Sequence, residues 1–294
     1  MRFILTTSEM MDLIINIAKN DDRIRAVQMQ GSRTNPKAPV DRFQDFDICY
    51  YVNNISSFRN DPNWIDIFGK RLMLQIPDLG PKENDNGIIV YLMLFEDGNR
   101  IDLVLIPVDV YINSNTEKNK EKEEESEAVL LFAKDDIFKP FPPATHKAFF
   151  INPPVEKDYY SVCNNFWWST QYVAKGICRN ELPYAKTFLE KDMRDEFHKM
   201  IEWYIGQTMN FSVSAGKNGK YFKLYLSNQQ YSMFCKTYAD HDYKNMWDAI
   251  FVMCDLFREF ALDVAKYNNF TYAKSNDDNM VLYLKNIKET FFNG

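Results

Sequence analysis

The chain has 294 residues, with 41 acidic against 35 basic side chains, a formal net charge of -6 and a sequence pI of about 5.3. This balance argues against a long polyanionic partner, whose binding surface carries a basic patch or stripe, and suits a cationic one better. Hydrophobic residues at 46% and charged residues at 26% fit an ordered globular protein, and the length exceeds what one core usually serves, so two domains are expected.

No apolar run reaches membrane-spanning length, and Met1 to Met11 carries one short apolar patch (Phe3, Ile4, Leu5) without a small-residue cleavage site. A cytoplasmic protein without a membrane partner is the expectation. Cys49, Cys163, Cys178, Cys235 and Cys254 are scattered, odd in number and free of Cys-x-x-Cys spacing, so they read as reduced thiols.

In chain order, Ser8 is read as the N-cap of a first helix in which Met10, Leu13, Ile14, Ile17 and Ala18 recur at helical spacing up to Asn20-Asp21. Residues 24–30 alternate as a strand that Gly31 breaks, and Pro36 and Pro39 mark a loop before a second strand at 45–52. Asp61-Pro62 opens a short helix through Phe68, and 71–76 reads as a third strand. The apolar runs 88–95 and 100–106, joined through Glu96-Asp97-Gly98-Asn99, read as a hairpin.

The Lys/Glu-rich stretch 117–127 reads as a solvated segment with no assigned function. Pro140, Pro142, Pro143, Pro153 and Pro154 mark a boundary between a domain at 1–150 and another at 151–294. Beyond it, helical periodicity is expected near 156–178, 182–209, 243–267 and 277–290, with Phe166, Trp167, Tyr172, Trp203, Tyr204 and Trp247 filling the interhelical space. No internal repeat is visible.

The chemistry sits in the first half. In Asp45-Phe46-Asp47 both carboxylates face one side of a strand, roughly 6 to 7 Å apart, while Phe46 points to the opposite core. Asp102 lies in an otherwise apolar run, where a lone acid is costly unless it is paired. If its strand neighbours the first, three acids crowd together and call for a divalent cation, and a Gly31-Ser32 turn lets backbone N–H groups approach phosphate. Nucleotidyl transfer is the chemistry this combination suggests. Asp-x-Asp by itself is a weak signal, shared by solvated strand acids and by metal-dependent glycosyltransferases.

Gly-Ser, an insert, a hydrophobically flanked Asp-x-Asp and a third flanked acid together resemble the nucleotidyltransferase superfamily of DNA polymerase β type. More narrowly, the chain resembles the aminoglycoside 6-adenylyltransferases over nearly its full length. The resemblance is carried by Met10-Met11-Asp12, Asp22-Arg23-Ile24-Arg25, Gly31-Ser32-Arg33-Thr34-Asn35, Phe43-Gln44-Asp45-Phe46-Asp47-Ile48, Phe95-Glu96-Asp97-Gly98-Asn99 and Ile101-Asp102-Leu103. Looser blocks follow at Lys175-Gly176, Arg179-Asn180-Glu181, Gly216-Lys217, Lys220-Tyr221, Tyr225-Leu226-Ser227-Asn228 and Leu256-Phe257-Arg258.

The resemblance implies an α+β protein: an N-terminal mixed-sheet nucleotidyltransferase domain followed by a C-terminal helical-bundle domain that binds substrate. It implies ATP as co-substrate on the Gly31-Ser32 turn and Mg²⁺ at Asp45 and Asp47, with Asp102 the third acid of the metal site and one or two metals left open. AMP would pass to an aminoglycoside hydroxyl, foremost the 6-hydroxyl of streptomycin, with resistance as the outcome. Asp102 is left open between ligand of a second metal, general base, and both in sequence.

Arg33, Arg179, Lys217 and Lys220 are candidates for phosphate neutralisation; taken singly, Arg33 and Lys220 read first as solvated charges, while the family blocks favour Arg179 and Lys217. Asp192, Asp195, Glu196, Glu202, Trp203, Asp240, Asp242 and Trp247 form a pool from which the walls for a polycation are drawn, against a plain reading as helix surface or core. His146, His198 and His241 have no ligand spacing and receive no role. The competing readings are the same fold acting on another small molecule, an RNA end or a protein hydroxyl, and a noncatalytic nucleotide-binding module. Oligomeric state is open.

Overall fold

The first helix, α1 (Thr7–Asn20), is capped two residues earlier than expected. Thr6 caps it in a reciprocal box: the Glu9 backbone N–H donates to the Thr6 hydroxyl, and the Glu9 carboxylate accepts from the Thr6 N–H. Ser8 is then an ordinary first-turn residue, because the Thr-x-x-Glu spacing satisfies two orphan donors where Ser8 alone would satisfy one. The helix lays Met10, Ile14 and Ala18 on the sheet, and the Tyr50 hydroxyl donates to the Ile14 carbonyl at 2.6 Å.

A computed structural model describes residues 5–35, 38–77, 87–114, 128–140 and 147–292 of the chain. The Lys/Glu-rich stretch, Phe3, Ile4, Pro36, Pro142, Pro143 and His146 lie outside the described residues. The chain divides into two units, Met1–Ala148 and Phe149–Gly294.

The first unit is built on a six-stranded mixed sheet of order β3-β4-β5-β2-β1-β6. Its strands are β1 (Ile24–Gln30), β2 (Phe46–Val52), β3 (Arg71–Gln75), β4 (Ile89–Phe95), β5 (Arg100–Pro107) and β6 (Val129–Ala133). β2 and β5 run parallel, and the other pairs are antiparallel. Strict alternation sorts the side chains. Phe46, Ile48 and Tyr50 of β2 and Ile101, Leu103 and Leu105 of β5 are wholly buried in one core with α1. Tyr51 instead packs with Ala26, Tyr111 and Phe138 on the opposite face.

The expected hairpin is present as β4 and β5, with Gly98 at a positive φ of 87° in the turn, a conformation glycine adopts without steric cost. Asp61-Pro62 leads into the expected short helix through Phe68, which takes 3-10 geometry at Trp64–Phe68. Three elements are unforeseen: α2 (Ile55–Arg59), α3 (Val108–Ser114) and strand β6 at the sheet edge. β6 is held by pairing with β1 and by the ion pair of Arg25 with Asp135 just beyond it, contacts distant in sequence.

The second unit is helical. It contains α4 (Glu156–Cys178), α5 (Leu182–Thr187), a π-helical stretch (Phe188–Met193) leading into α6 (Arg194–Thr208), α7 (Phe222–Tyr225), α8 (Asn228–Lys236), α9 (Tyr243–Asn268) and α10 (Lys274–Ile287). Its core is aromatic, with Phe166 stacked on Phe257 at 3.7 Å between centroids and Trp167, Trp203 and Trp247 at most 3% exposed. Within this core Asp277 is fully buried, and Arg258 donates to both of its oxygens at 2.5 and 2.6 Å, so the carboxylate is compensated.

α8 escapes the periodicity reading because it is short, yet a Ser227–Gln230 capping box announces it in sequence. All five cysteines are free thiols. Among the described residues no helix is long and apolar enough to cross a membrane.

Candidate active site

The acids gather at one end of the sheet, where β1 finishes and the parallel strands β2 and β5 begin. Phe46 pairs with Ile101 and Asp47 with Asp102, so the two carboxylates stand side by side on adjacent strands and share a face. Asp45 lies one residue ahead of β2, not within it, in the position that faces Arg100 on β5. On its other side Asp47 pairs with Gln30, the last residue of β1.

The next residue, Gly31, starts a 3-10 turn at Gly31–Arg33 with φ of 78°. A Cβ built on Gly31 would lie 2.1 Å from Asp47 Oδ2. Only glycine lets the backbone pass this close to the carboxylate, and only glycine holds this φ without cost. The Thr34 hydroxyl and N–H both donate back to the Gly31 carbonyl, at 2.8 and 3.2 Å, and close the turn. The Gly31-Ser32 bend and the acids are therefore one locality.

Arg33 fastens the lead-in to β2. Its Nε donates to the Asp45 carbonyl at 3.0 Å and a terminal nitrogen donates to the Gln44 carbonyl at 2.7 Å, while the guanidinium lies 3.8 Å from the centre of the Phe46 ring. These bonds use most of its fork. Arg33 thus fixes the backbone on which Asp45 is carried, and its charge lies close enough to Asp45 and Asp47 to favour their ionised forms.

Arg100 is absent from the sequence-based candidates. Its Nε and one terminal nitrogen donate to the two oxygens of Asp102 at 2.8 and 2.7 Å, and the other terminal nitrogen is 3.5 Å from Asp45 Oδ2. The signal was present in Arg100-Ile101-Asp102: on a strand, residues two apart share a face, so the arginine had to join the acids.

The electrostatics follow from this crowding. Burial pushes the Asp47 carboxyl up to about 6, and Asp102 and Asp45 push in the same direction. Burial also raises Asp45, with Arg100 opposing and Asp102 adding to the rise. Among the described residues no hydrogen bond or ion pair reaches the Asp47 carboxylate. Cys49, two residues along β2, is pushed up to about 12 by burial and by Asp47, which makes it an inert thiol.

The fold brings the three carboxylates to one strand end without arranging them as a ready-made cage. Among the described residues no three acidic, histidine or cysteine groups stand preassembled for a metal ion. Arg100 takes both oxygens of Asp102, and among the described residues Asp47 is the one of the three acids without a partner. The donor chemistry nevertheless fits a hard divalent cation: two or three carboxylates, one of them half-buried, partnerless and raised by its neighbours.

Of the remaining candidates, all in the helical unit, Arg179, Lys217 and Lys220 are exposed, with the Lys220 ammonium 5.1 Å from the Tyr221 ring. Asp192, Asp195 and Glu196 line one side of the π-helical stretch and α6, where Glu196 accepts from Asn165 at 2.9 Å and its carboxyl is raised by burial and by the two aspartates. Trp203 is not a wall residue: at 3% exposure it lies in the helical core with the wholly buried Trp247, and both rings supply packing between helices. Asp242 caps α9, accepting from the Lys244 N–H at 2.7 Å, and Asp240 accepts from the Asp242 N–H and the Asn245 amide. Both are tied into the start of that helix.

The streptomycin adenylyltransferase family profile matches residues 4–287. An aminoglycoside 6-adenylyltransferase of Bacillus subtilis (strain 168) is 35% identical over 286 residues, covering 95% of this chain and 96% of that protein. Another, of Campylobacter jejuni, is 38% identical over 268 residues, 90% of each chain. The crystal structure of an aminoglycoside 6-adenyltransferase from Bacillus subtilis is 32% identical and covers 96% of this chain and 98% of its own, with a TM-score of 0.48. With similarity running almost end to end, across both the acidic strand ends and the helical unit, the chain belongs to the streptomycin adenylyltransferase family.

Proposed function

We propose that this protein transfers AMP from ATP to a hydroxyl of an aminoglycoside, foremost the 6-hydroxyl of streptomycin, and releases pyrophosphate. The observation that carries the reading is the in-register pairing of Asp47 with Asp102, with the Gly31 backbone pressed against the Asp47 carboxylate. Family membership supports the reaction class, and the acidic balance of the chain supports a cationic acceptor.

In this reading Asp45 and Asp47, with Asp102 beside them, hold Mg²⁺. The metal, when bound, supplies Lewis-acid neutralisation of the charge that gathers on the phosphates. The residues of the chain do the rest. The Gly31-Ser32 turn brings backbone close to the acids, so a triphosphate docked there has its reacting end within reach of them. Arg33 keeps Asp45 in place through the backbone it braces. The acceptor oxygen attacks the α-phosphorus, the bond to the bridging oxygen of pyrophosphate breaks, and the hydroxyl proton passes to a carboxylate of the cluster. Positioning of the two substrates in line contributes a large share of the rate.

For the acceptor, the row Asp192, Asp195 and Glu196 offers carboxylates to ammonium and guanidinium groups. Arg179, Lys217 and Lys220 are candidates for phosphate neutralisation, as exposed cations with no ion pair among the described residues. The test is mass spectrometry of a panel of aminoglycosides after incubation with the protein, ATP and Mg²⁺. Streptomycin is expected to gain one adenylyl group and pyrophosphate to accumulate in equal amount. Adenylylation of some other acceptor, with streptomycin unchanged, would overturn the acceptor assignment.

A further inference from the structure

Arg100 occupies the acids in the way a metal would. Its fork satisfies both oxygens of Asp102 at 2.7 and 2.8 Å and reaches Asp45 at 3.5 Å, while among the described residues Asp47 is left without a partner. Three carboxylates at the ends of adjacent strands repel one another, and one guanidinium on the same face relieves that repulsion. The arginine is carried by β5 itself, two residues before Asp102, so it needs no induced movement to reach them.

We propose that Arg100 is a resident counter-cation and positioning residue. In the metal-free protein it holds Asp45 and Asp102 in register, and it must release Asp102 before that carboxylate can turn to a divalent cation. The proposal rests on the reading of the acids as the metal site. Its consequence is a set point: metal enters first at Asp47, the free acid, and its affinity is held down by competition with a tethered cation. Like charges so close would also repel, even through solvent, which adds to the competition.

The experiment compares Mn²⁺ binding, by electron paramagnetic resonance of the free ion, to the nucleotide-free wild type, Arg100→Met, Arg100→Lys and Asp47→Asn. Removing the guanidinium in Arg100→Met is expected to tighten Mn²⁺ binding by about tenfold, with Arg100→Lys in between because it keeps charge and loses the fork. Without metal, Arg100→Met is expected to unfold at a lower temperature than wild type, and saturating Mn²⁺ is expected to raise its midpoint by more than it raises that of wild type.

Unchanged or weaker Mn²⁺ binding in both Arg100 variants, with Asp47→Asn still losing the ion, would overturn the role of Arg100 and leave the metal site standing. Binding to Asp47→Asn equal to wild type would remove the metal site and the proposal together. If Arg100→Met does not fold, Arg100→Lys alone decides: tighter binding than wild type supports competition, and equal or weaker binding overturns it.

Discussion

Asp47→Asn is expected to abolish adenylyl transfer, lowering kcat by about a thousandfold or more, on the order of 4 kcal/mol of transition-state stabilisation, while leaving the protein folded. The side chain keeps its shape and loses its charge, and no hydrogen bond among the described residues depends on that charge. Stability should move the other way. In the metal-free protein the Asp47 carboxyl is raised to about 6 from an ordinary value of 3.8, so between those values the folded chain binds more protons than the unfolded one. Stability from this group is therefore greatest in acid and falls as pH rises through 6. Asn removes the penalty. At pH 7.5 the variant should be more stable than wild type by about 1–2 kcal/mol, after allowance for solvent screening at a half-buried site. The gain should vanish near pH 4. Urea unfolding at the two pH values, alongside a pyrophosphate-release assay, checks both halves. A variant that is less stable at pH 7.5 would mean that the carboxylate is compensated in solution.

Gly31→Ala should damage both activity and stability. The added methyl would lie 2.1 Å from Asp47 Oδ2 at a backbone φ of 78°, so either the turn or the carboxylate has to move. The conformational penalty is about 1–2 kcal/mol and the overpacking about 1–3 kcal/mol more. A shift of roughly 1 Å in a metal-binding acid or a phosphate-facing turn costs about a hundredfold in rate. Gly98 supplies the control, since it also has a positive φ but a Cβ there meets nothing within 4 Å. Gly98→Ala is expected to lose only the conformational part of the stability and to keep its activity. Equal loss of activity in both variants would show that backbone strain, and not contact with Asp47, explains the effect of Gly31→Ala.

Most of what positions the acids was readable from sequence, because alternation on strands is a local rule. Phe46, Ile48 and Tyr50 buried on one face force Asp45 and Asp47 to the other, and the Asp-Gly turn at 97–98 makes β5 the hairpin partner of β4. Period and turn chemistry do not say which strand lies next to which across a parallel pair. The Asp47–Asp102 pairing had to come from the fold. β6 was illegible for the same reason, since its place is decided by β1 and its Arg25, which pairs with Asp135 across 110 residues of sequence.

Arg100 shows a different failure. Its face could be read from Arg100-Ile101-Asp102, but a search for chemistry-bearing acids passes over the cation that neutralises them. In the helical unit the large aromatics serve two uses that sequence does not separate. Trp203 and Trp247 carry the same amphipathic ring that lines pockets, and only burial shows that here they are packing. Asp240 and Asp242 likewise spend their oxygens on the start of α9, a local capping task that an acidic residue followed by a helical period could have suggested.

The most direct measurement is an anomalous difference map from crystals grown with Mn²⁺ and a non-hydrolysable ATP analogue. A manganese peak within about 2.0–2.3 Å of carboxylate oxygens of both Asp45 and Asp47, with the analogue's phosphates against the Gly31-Ser32 turn, is the expected result. A peak bound away from Asp47, or a triphosphate seated elsewhere in the molecule, would contradict it.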